Sequence, residues 1–116
     1  MEGLEVTDLF FKRLYEKWSL TYDRRGLELI GKAYDFAREI LGSRTFDSGE
    51  VILFHSLEVA SIIADEIGLG YEPVVAGILH NVMYHDLERK ATSEEVNAVF
   101  GGTVEGMLDG MSKKIG

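Results

Sequence analysis

The chain of 116 residues contains no cysteine, which excludes a disulfide framework, a thiolate zinc site and a cysteine nucleophile. Any metal ion would need histidine and carboxylate ligands instead. Basic residues are also few, with 12 Lys and Arg against 20 Asp and Glu, so the net charge is −8. Because nucleic acids and anionic membranes attract clustered Lys and Arg, this balance argues against both as partners.

Long hydrophobic runs are missing as well. The longest charge-free stretch, Pro73 to His85, contains polar residues and is too short to span a bilayer. The acidic start, Met1 to Glu5, has no apolar core of a signal peptide. With 46% hydrophobic residues the chain can fold, and its length suits one domain. The sequence therefore predicts a single cytoplasmic domain over residues 1–116.

The apolar residues recur at helical spacing almost throughout, which predicts an all-α bundle of five to six helices. Residues 43–54 are the exception, and we expect a buried loop there or the lead into the third helix. The predicted helices cover about 7–20, 23–41, 55–67, 73–84, 92–100 and 103–113.

The fourth predicted helix is the informative one. Apolar residues fill one broad arc, and the remaining arc holds Gly77, His80, Asn81 and Tyr84. The polar arc of a buried helix must face a partner group or a cavity, and Gly77 would leave room for it. A lone buried histidine is more often bonded to a backbone carbonyl, but His55 at the start of the preceding helix favours a site.

Several short motifs in this region resemble one family. Residues 55–60, His-Ser-Leu-Glu-Val-Ala, and 75–82, Val-Ala-Gly-Ile-Leu-His-Asn-Val, are similar to the RelA/SpoT form of the HD phosphohydrolase domain. Its patterns there are His-Pro-Leu-Glu-Val-Ala and Leu-Leu-His-Asp-Val. Further motifs from 33–37 to 109–113 keep the family order, so the resemblance covers about 26–116. It implies an HD-domain-like helical bundle.

The resemblance also implies an activity. In this family the domain hydrolyses the 3′-pyrophosphate of guanosine tetra- and pentaphosphate with a manganese ion, and a following domain makes the same nucleotides from ATP and GTP or GDP. The implied manganese ligands are His55, His80 and the paired aspartate, which here is Asn81. Hard cations favour anionic oxygen, which an amide does not offer. We expect an unoccupied site and no cofactor, with manganese as the ion if the site functions.

Other family positions are also substituted. The acidic pair that positions and activates water is replaced by Tyr84 and His85, and neither can supply two carboxylates. The Arg-Lys pair that helps to hold the guanine nucleotide is replaced by Phe46 and Asp47, so we expect weak nucleotide binding at most. Ser56 stands where the family has proline.

We therefore interpret the chain as a degenerate, hydrolysis-deficient HD domain of a RelA/SpoT-type GTP pyrophosphokinase of the stringent response. Its expected role is to regulate or scaffold a downstream synthetase domain in the parent chain. One alternative is an active metal-dependent hydrolase that uses His55, His80, Asn81 and outside ligands. The other is a helical interaction domain without nucleotide affinity.

A first prediction concerns self-association. The family domain is expected to continue with further helices and its last aspartate ligand after Gly116, so apolar surface in this chain would lack its cover. Covering ~400 Å² of apolar surface favours association by about 10 kcal/mol before the entropic costs of docking are subtracted. We expect a homodimer, detected by light scattering at millimolar concentration. The mass of a single chain under those conditions would contradict this expectation.

Overall fold

Six α-helices make up most of the described chain. The computed structural model describes residues 3–66, 70–83 and 91–115, and side chains as far as residue 110. The described residues contain no strand beyond one isolated bridge between Thr45 and Val51, so the predicted all-α bundle is confirmed. The helices are α1 (Gly3–Trp18), α2 (Arg24–Leu41), α3 (Ile52–Asp65), α4 (Tyr71–Leu79), α5 (Ser93–Phe100) and α6 (Gly102–Ile115).

Two helix starts follow directly from their capping residues. The carboxylate of Asp23 accepts a hydrogen bond from the backbone N–H of Gly26 at 2.9 Å and caps α2. At α5, the Thr92 hydroxyl accepts from the N–H of Glu95 at 3.1 Å, and the Glu95 carboxylate accepts from the N–H of Thr92 at 3.4 Å. Both arrangements satisfy N–H groups that have no partner inside the helix. The predicted starts of α2 and α5 are confirmed.

Three predicted helix boundaries are wrong. Helix α1 begins at Gly3 rather than near Thr7, whose buried hydroxyl donates to the Gly3 carbonyl at 2.7 Å inside the helix. Helix α3 begins at Ile52, one turn before His55. Helix α4 ends at Leu79, so His80 lies in the following turn rather than inside a helix. Local periodicity does not specify such ends, because tertiary contacts stabilise terminal turns.

The segment before α3 is an exposed hairpin-like turn rather than a buried loop, while residues 52–54 form the first turn of the third helix, in line with the second alternative. The N–H of Phe46 donates to the Glu50 carbonyl, and the N–H of Gly49 donates to the Phe46 carbonyl, both at 2.9 Å. Gly49 has φ +93°, a conformation that favours glycine. Most of residues 43–50 are exposed. This turn brings Phe46 and Glu50 close to the first turn of α3.

Helix α4 lies at the centre of the bundle. All residues from Val74 to Leu79 are buried, and the helix packs against α3, α2 and α6. A helix that is apolar nearly all round must be surrounded by other elements, which explains this position. Among the described residues, no helix combines the length and apolar character needed to cross a membrane.

Helix α1 is held to α2 by one aromatic and one ionic contact. The rings of Phe11 and Tyr34 stack with centroids 3.9 Å apart. Both oxygens of Asp8 accept hydrogen bonds from the Arg38 guanidinium at 2.9 Å, and the Tyr34 hydroxyl also donates to Asp8. The Arg38 contact lowers the pKa of Asp8 below its usual value. These contacts fix α1 against α2, and the stacking of Phe10 on Phe54 joins it to α3 as well.

Gly77 allows α4 to approach α3 closely. A Cβ atom at this position would lie 3.1 Å from the Cα of Ala60 and 3.0 Å from Cδ1 of Ile63. The room expected beside Gly77 is therefore filled by α3, and the expectation of an open approach for a ligand there is wrong. The absent side chain serves helix packing instead.

We expect Gly77→Ala to destabilise the fold by about 1 to 2 kcal/mol. The new methyl group meets the backbone of α3, and this overpacking outweighs the gain in helix propensity of about 1 kcal/mol. Urea unfolding followed by circular dichroism measures the change. The matched control is Gly106→Ala in α6, where nothing lies within 4 Å of the new methyl group. The control should be stabilised, and equal effects of both substitutions would refute the packing argument.

Candidate functional site

The fold brings the two candidate histidines together at one end of the α3 and α4 pair. His55 lies in the first turn of α3, and His80 follows the last residue of α4. Their ring centroids are 6.2 Å apart, with the ring planes at 59°.

His80 has both ring nitrogens in hydrogen bonds. Its Nδ1 lies 2.6 Å from the Gly77 carbonyl oxygen. A carbonyl only accepts, so Nδ1 carries a proton and Nε2 of the neutral ring is an acceptor. The side-chain amide of Asn81 donates to that Nε2 at 3.2 Å. Burial, aided by nearby His55, lowers the pKa of His80 below its usual value, although the bond to Gly77 opposes the shift.

Asn81 connects His80 to α3. Its amide nitrogen also donates to the Ser56 hydroxyl at 3.1 Å, and that hydroxyl donates to the Ile52 carbonyl at 3.1 Å. Ser56 is completely buried. None of the buried side-chain nitrogen or oxygen atoms in the described residues lacks a hydrogen-bond partner. A continuous chain of neutral hydrogen bonds thus runs from the Ile52 carbonyl to the Gly77 carbonyl.

His55 faces the hairpin-like turn on its other side. Its Nδ1 lies 3.5 Å from Oε1 of Glu50, and the Phe46 ring packs edge to face against it with centroids 5.6 Å apart. Phe46 therefore lies directly beside His55. Asp47 is exposed in the turn. Tyr84 and His85, the other predicted site residues, lie outside the described residues.

A second group of possible metal ligands surrounds His55. Ligand atoms of Glu50, His55 and Glu58 all lie within 4.8 Å of one another. Burial and the adjacent Glu50 carboxylate raise the pKa of Glu58, because like charges disfavour ionisation, while His55 lowers it. Two carboxylates and one imidazole suit a zinc or manganese ion.

Sequence reasoning missed both of these glutamates. The spacing of three residues between His55 and Glu58 places them on one helix face, so Glu58 could have been found from the sequence. The hairpin-like turn places Glu50 beside His55. Because Glu50 lies outside any helix, helical periodicity does not indicate this contact.

The residues at the family's manganese position do not fit that ion. The lone pair on Nε2 of His80 accepts from Asn81, and Asn81 presents N–H donors rather than an anionic oxygen. A divalent cation requires lone pairs directed toward it, and manganese prefers carboxylate, carbonyl and water oxygens. The donor set here belongs to a neutral hydrogen-bonded network.

Comparison with known proteins identifies the class. The HD domain family matches residues 33–114, which include both candidate histidines, His55 and His80, and most of the bundle. The chain therefore belongs to the HD-domain family.

The similar proteins are RelA/SpoT-type enzymes, which confirms the resemblance seen in the motifs. The chain is 37% identical over 87 residues to the GTP pyrophosphokinase of Myxococcus xanthus. It is 34% identical over 86 residues to the guanosine-3′,5′-bis(diphosphate) 3′-pyrophosphohydrolase of Aquifex aeolicus. It is 33% identical over 87 residues to the bifunctional (p)ppGpp synthase/hydrolase SpoT of Escherichia coli K12.

These alignments cover 74 to 75% of this chain but 11 to 12% of the relatives. The chain thus spans about a tenth of the length of the curated relatives that it matches.

The lowered pKa of His80 predicts a loss of stability in mild acid. The unfolded chain, with a histidine pKa of about 6.5, takes up the proton before the folded chain does. The stability that comes from neutral His80 is complete above that pH and is lost as the pH falls through the pKa of the folded state. Urea unfolding at pH 7.5 and 5.5 should show a steeper loss for the unmodified chain than for His80→Gln.

His55→Gln is the matched control for this measurement. It should retain most of the pH dependence, because burial, the main cause of the His80 shift, remains. Equal pH dependence of the unmodified chain and His80→Gln would contradict the assignment.

Proposed function

We propose that this chain is a hydrolysis-deficient HD domain of a cytoplasmic GTP pyrophosphokinase of the RelA/SpoT type. Its proposed role is to regulate or scaffold a synthetase domain in the same parent chain. The proposal rests on one observation above all. Asn81, at the position of the family's metal-binding aspartate, uses its amide N–H groups to bond Ser56 and His80.

The charges around the site support weak nucleotide binding at most. The family's Arg-Lys positions are occupied by Phe46 and Asp47, and Phe46 packs on His55 instead of offering a cation. Glu50 and Glu58 add carboxylates beside the same histidine. A pyrophosphate group beside His55 would meet the negative charge of these carboxylates, which disfavours its binding.

The intact core supports a role that depends on shape. Helices α3 and α4 pack closely at Gly77, and the site's hydrogen bonds are satisfied among protein groups. The fold therefore does not need catalytic residues to bury its apolar surface. A domain of this kind can contact or restrain a neighbouring domain without catalysing hydrolysis.

One observation favours an active hydrolase as the second candidate. Glu50, His55 and Glu58 form a group that could hold a divalent cation, although at different residues from those the family pattern implies. A metal-bound water there could attack a phosphate ester or anhydride. The third candidate, a helical interaction domain, would bind no guanine nucleotide at all.

We expect no release of pyrophosphate from guanosine tetraphosphate when the chain is assayed with manganese. The single substitution Asn81→Asp should not restore turnover, since the acidic pair replaced by Tyr84 and His85 stays absent. Pyrophosphate release is measured against buffer, with an active relative as positive control. Asn97→Asp on the exposed face of α5 is the matched control for the change of charge.

Two outcomes would reverse this conclusion. Turnover that disappears in His55→Ala and Glu58→Gln would establish a hydrolase that uses the Glu50, His55 and Glu58 group. Turnover that disappears in His80→Ala but survives Glu58→Gln would establish catalysis at the family's own position. Measurable binding of guanosine tetraphosphate without turnover would agree with a regulatory domain.

A further inference from the structure

Two departures from the family pattern contact each other. Ser56 stands in place of proline in the first motif, and Asn81 stands in place of aspartate in the second. The two positions are 25 residues apart, yet the Asn81 amide nitrogen lies 3.1 Å from the Ser56 hydroxyl. The Asn81 amide supplies the hydrogen-bond donor, and the buried Ser56 hydroxyl supplies the acceptor.

We propose that Ser56 and Asn81 form a metal-free link between α3 and the turn after α4, at the place where the family pattern implies a metal ion. This inference deepens the proposed function and rests on it for the statement that the site is not catalytic. The link would hold the two helices in the same arrangement at any manganese concentration. A scaffolding domain would then keep its shape without a cofactor.

The donors of this network all have acceptors within the protein, so the network needs no ion. The two N–H groups of the Asn81 amide go to Ser56 Oγ and His80 Nε2, at 3.1 and 3.2 Å. The Ser56 hydroxyl proton goes to the Ile52 carbonyl, and the His80 Nδ1 proton goes to the Gly77 carbonyl. Each donor of these three side chains thus has an acceptor, and the three side chains together carry no net charge.

The hydrogen-bonded network needs both serine at position 56 and asparagine at position 81. Proline at position 56 has no hydroxyl, so one amide N–H of Asn81 would lose its acceptor. Aspartate at position 81 has no donor. The Ser56 hydroxyl could rotate to donate to it, at the cost of its bond to the Ile52 carbonyl, but the carboxylate would still face the lone pair of His80 Nε2. Such opposed acceptors are stabilised only by an added proton or cation between them. Asn81→Asp should therefore create a site that a bound cation stabilises.

The first experiment is a double-substitution cycle on thermal unfolding in EDTA. Ser56→Ala and Asn81→Ala should each lower the melting temperature by about 4 °C or more, as expected for loss of one buried hydrogen bond in a small domain. The double variant should melt near the less stable single variant, because both changes remove the same bond. Ser61→Ala, on the same helix, is the matched control and should melt like the unmodified chain.

The second experiment repeats the melts with 1 mM manganese chloride. Any effect of the ion on the unmodified chain should disappear in Glu58→Gln, and the ion should raise the melting temperature of Asn81→Asp. That gain should disappear in the double variant His80→Ala with Asn81→Asp, and Asn97→Asp should show none. Nitrogen NMR of the unmodified chain should find the proton of His80 on Nδ1.

Additive effects in the cycle would overturn the proposal. So would manganese stabilisation of the unmodified chain that is lost in His80→Ala, because the ion would then bind where the link is proposed. Stabilisation that is lost only in Glu58→Gln places the ion at Glu50, His55 and Glu58 and supports a metal-free link. Turnover in the hydrolysis assay together with an intact cycle would overturn the proposed function alone.

Discussion

Close packing of α4 on α3 at Gly77 is the constraint on which the site depends. The missing side chain lets the backbone of α4 approach Ala60 and Ile63. At this separation, the turn after α4 lies against the first turns of α3, which carry His55 and Ser56. A wider spacing would separate the Asn81 amide from the Ser56 hydroxyl, since their bond is already 3.1 Å long. The geometry of the polar network is therefore set by an apolar contact.

The site divides into a neutral inner part and a charged outer part. Ser56, His80 and Asn81 lie between the helices, where removing a charge from water is costly, and they satisfy one another as neutral groups. Glu50 and Glu58 lie in exposed positions, where solvent weakens their repulsion without abolishing it. His55 stands between the two parts, 40% exposed. This division places the possible cation ligands on the surface and the hydrogen-bonded link in the interior.

Membership in the HD-domain family and the changed site are compatible because fold and chemistry depend on different residues. The bundle is stabilised by the buried apolar faces of its helices, above all α4. Asparagine in place of the aspartate of the family pattern leaves those faces untouched and alters only the donors and acceptors at one end of the helix pair. The family fold can thus persist where the ligand set does not, and function must be argued from the site.

Helical periodicity and the capping residues Asp23 and Thr92 determined the class and two helix starts, because these signals act within a few residues. The motifs also identified His55, His80 and the substituted Asn81. Only the tertiary structure placed Ser56 beside Asn81, filled the space at Gly77 with α3, and brought Glu50 to His55. Those contacts join segments that are distant along the chain or connected by an irregular turn. Their geometry follows from how helices pack, which no local pattern encodes.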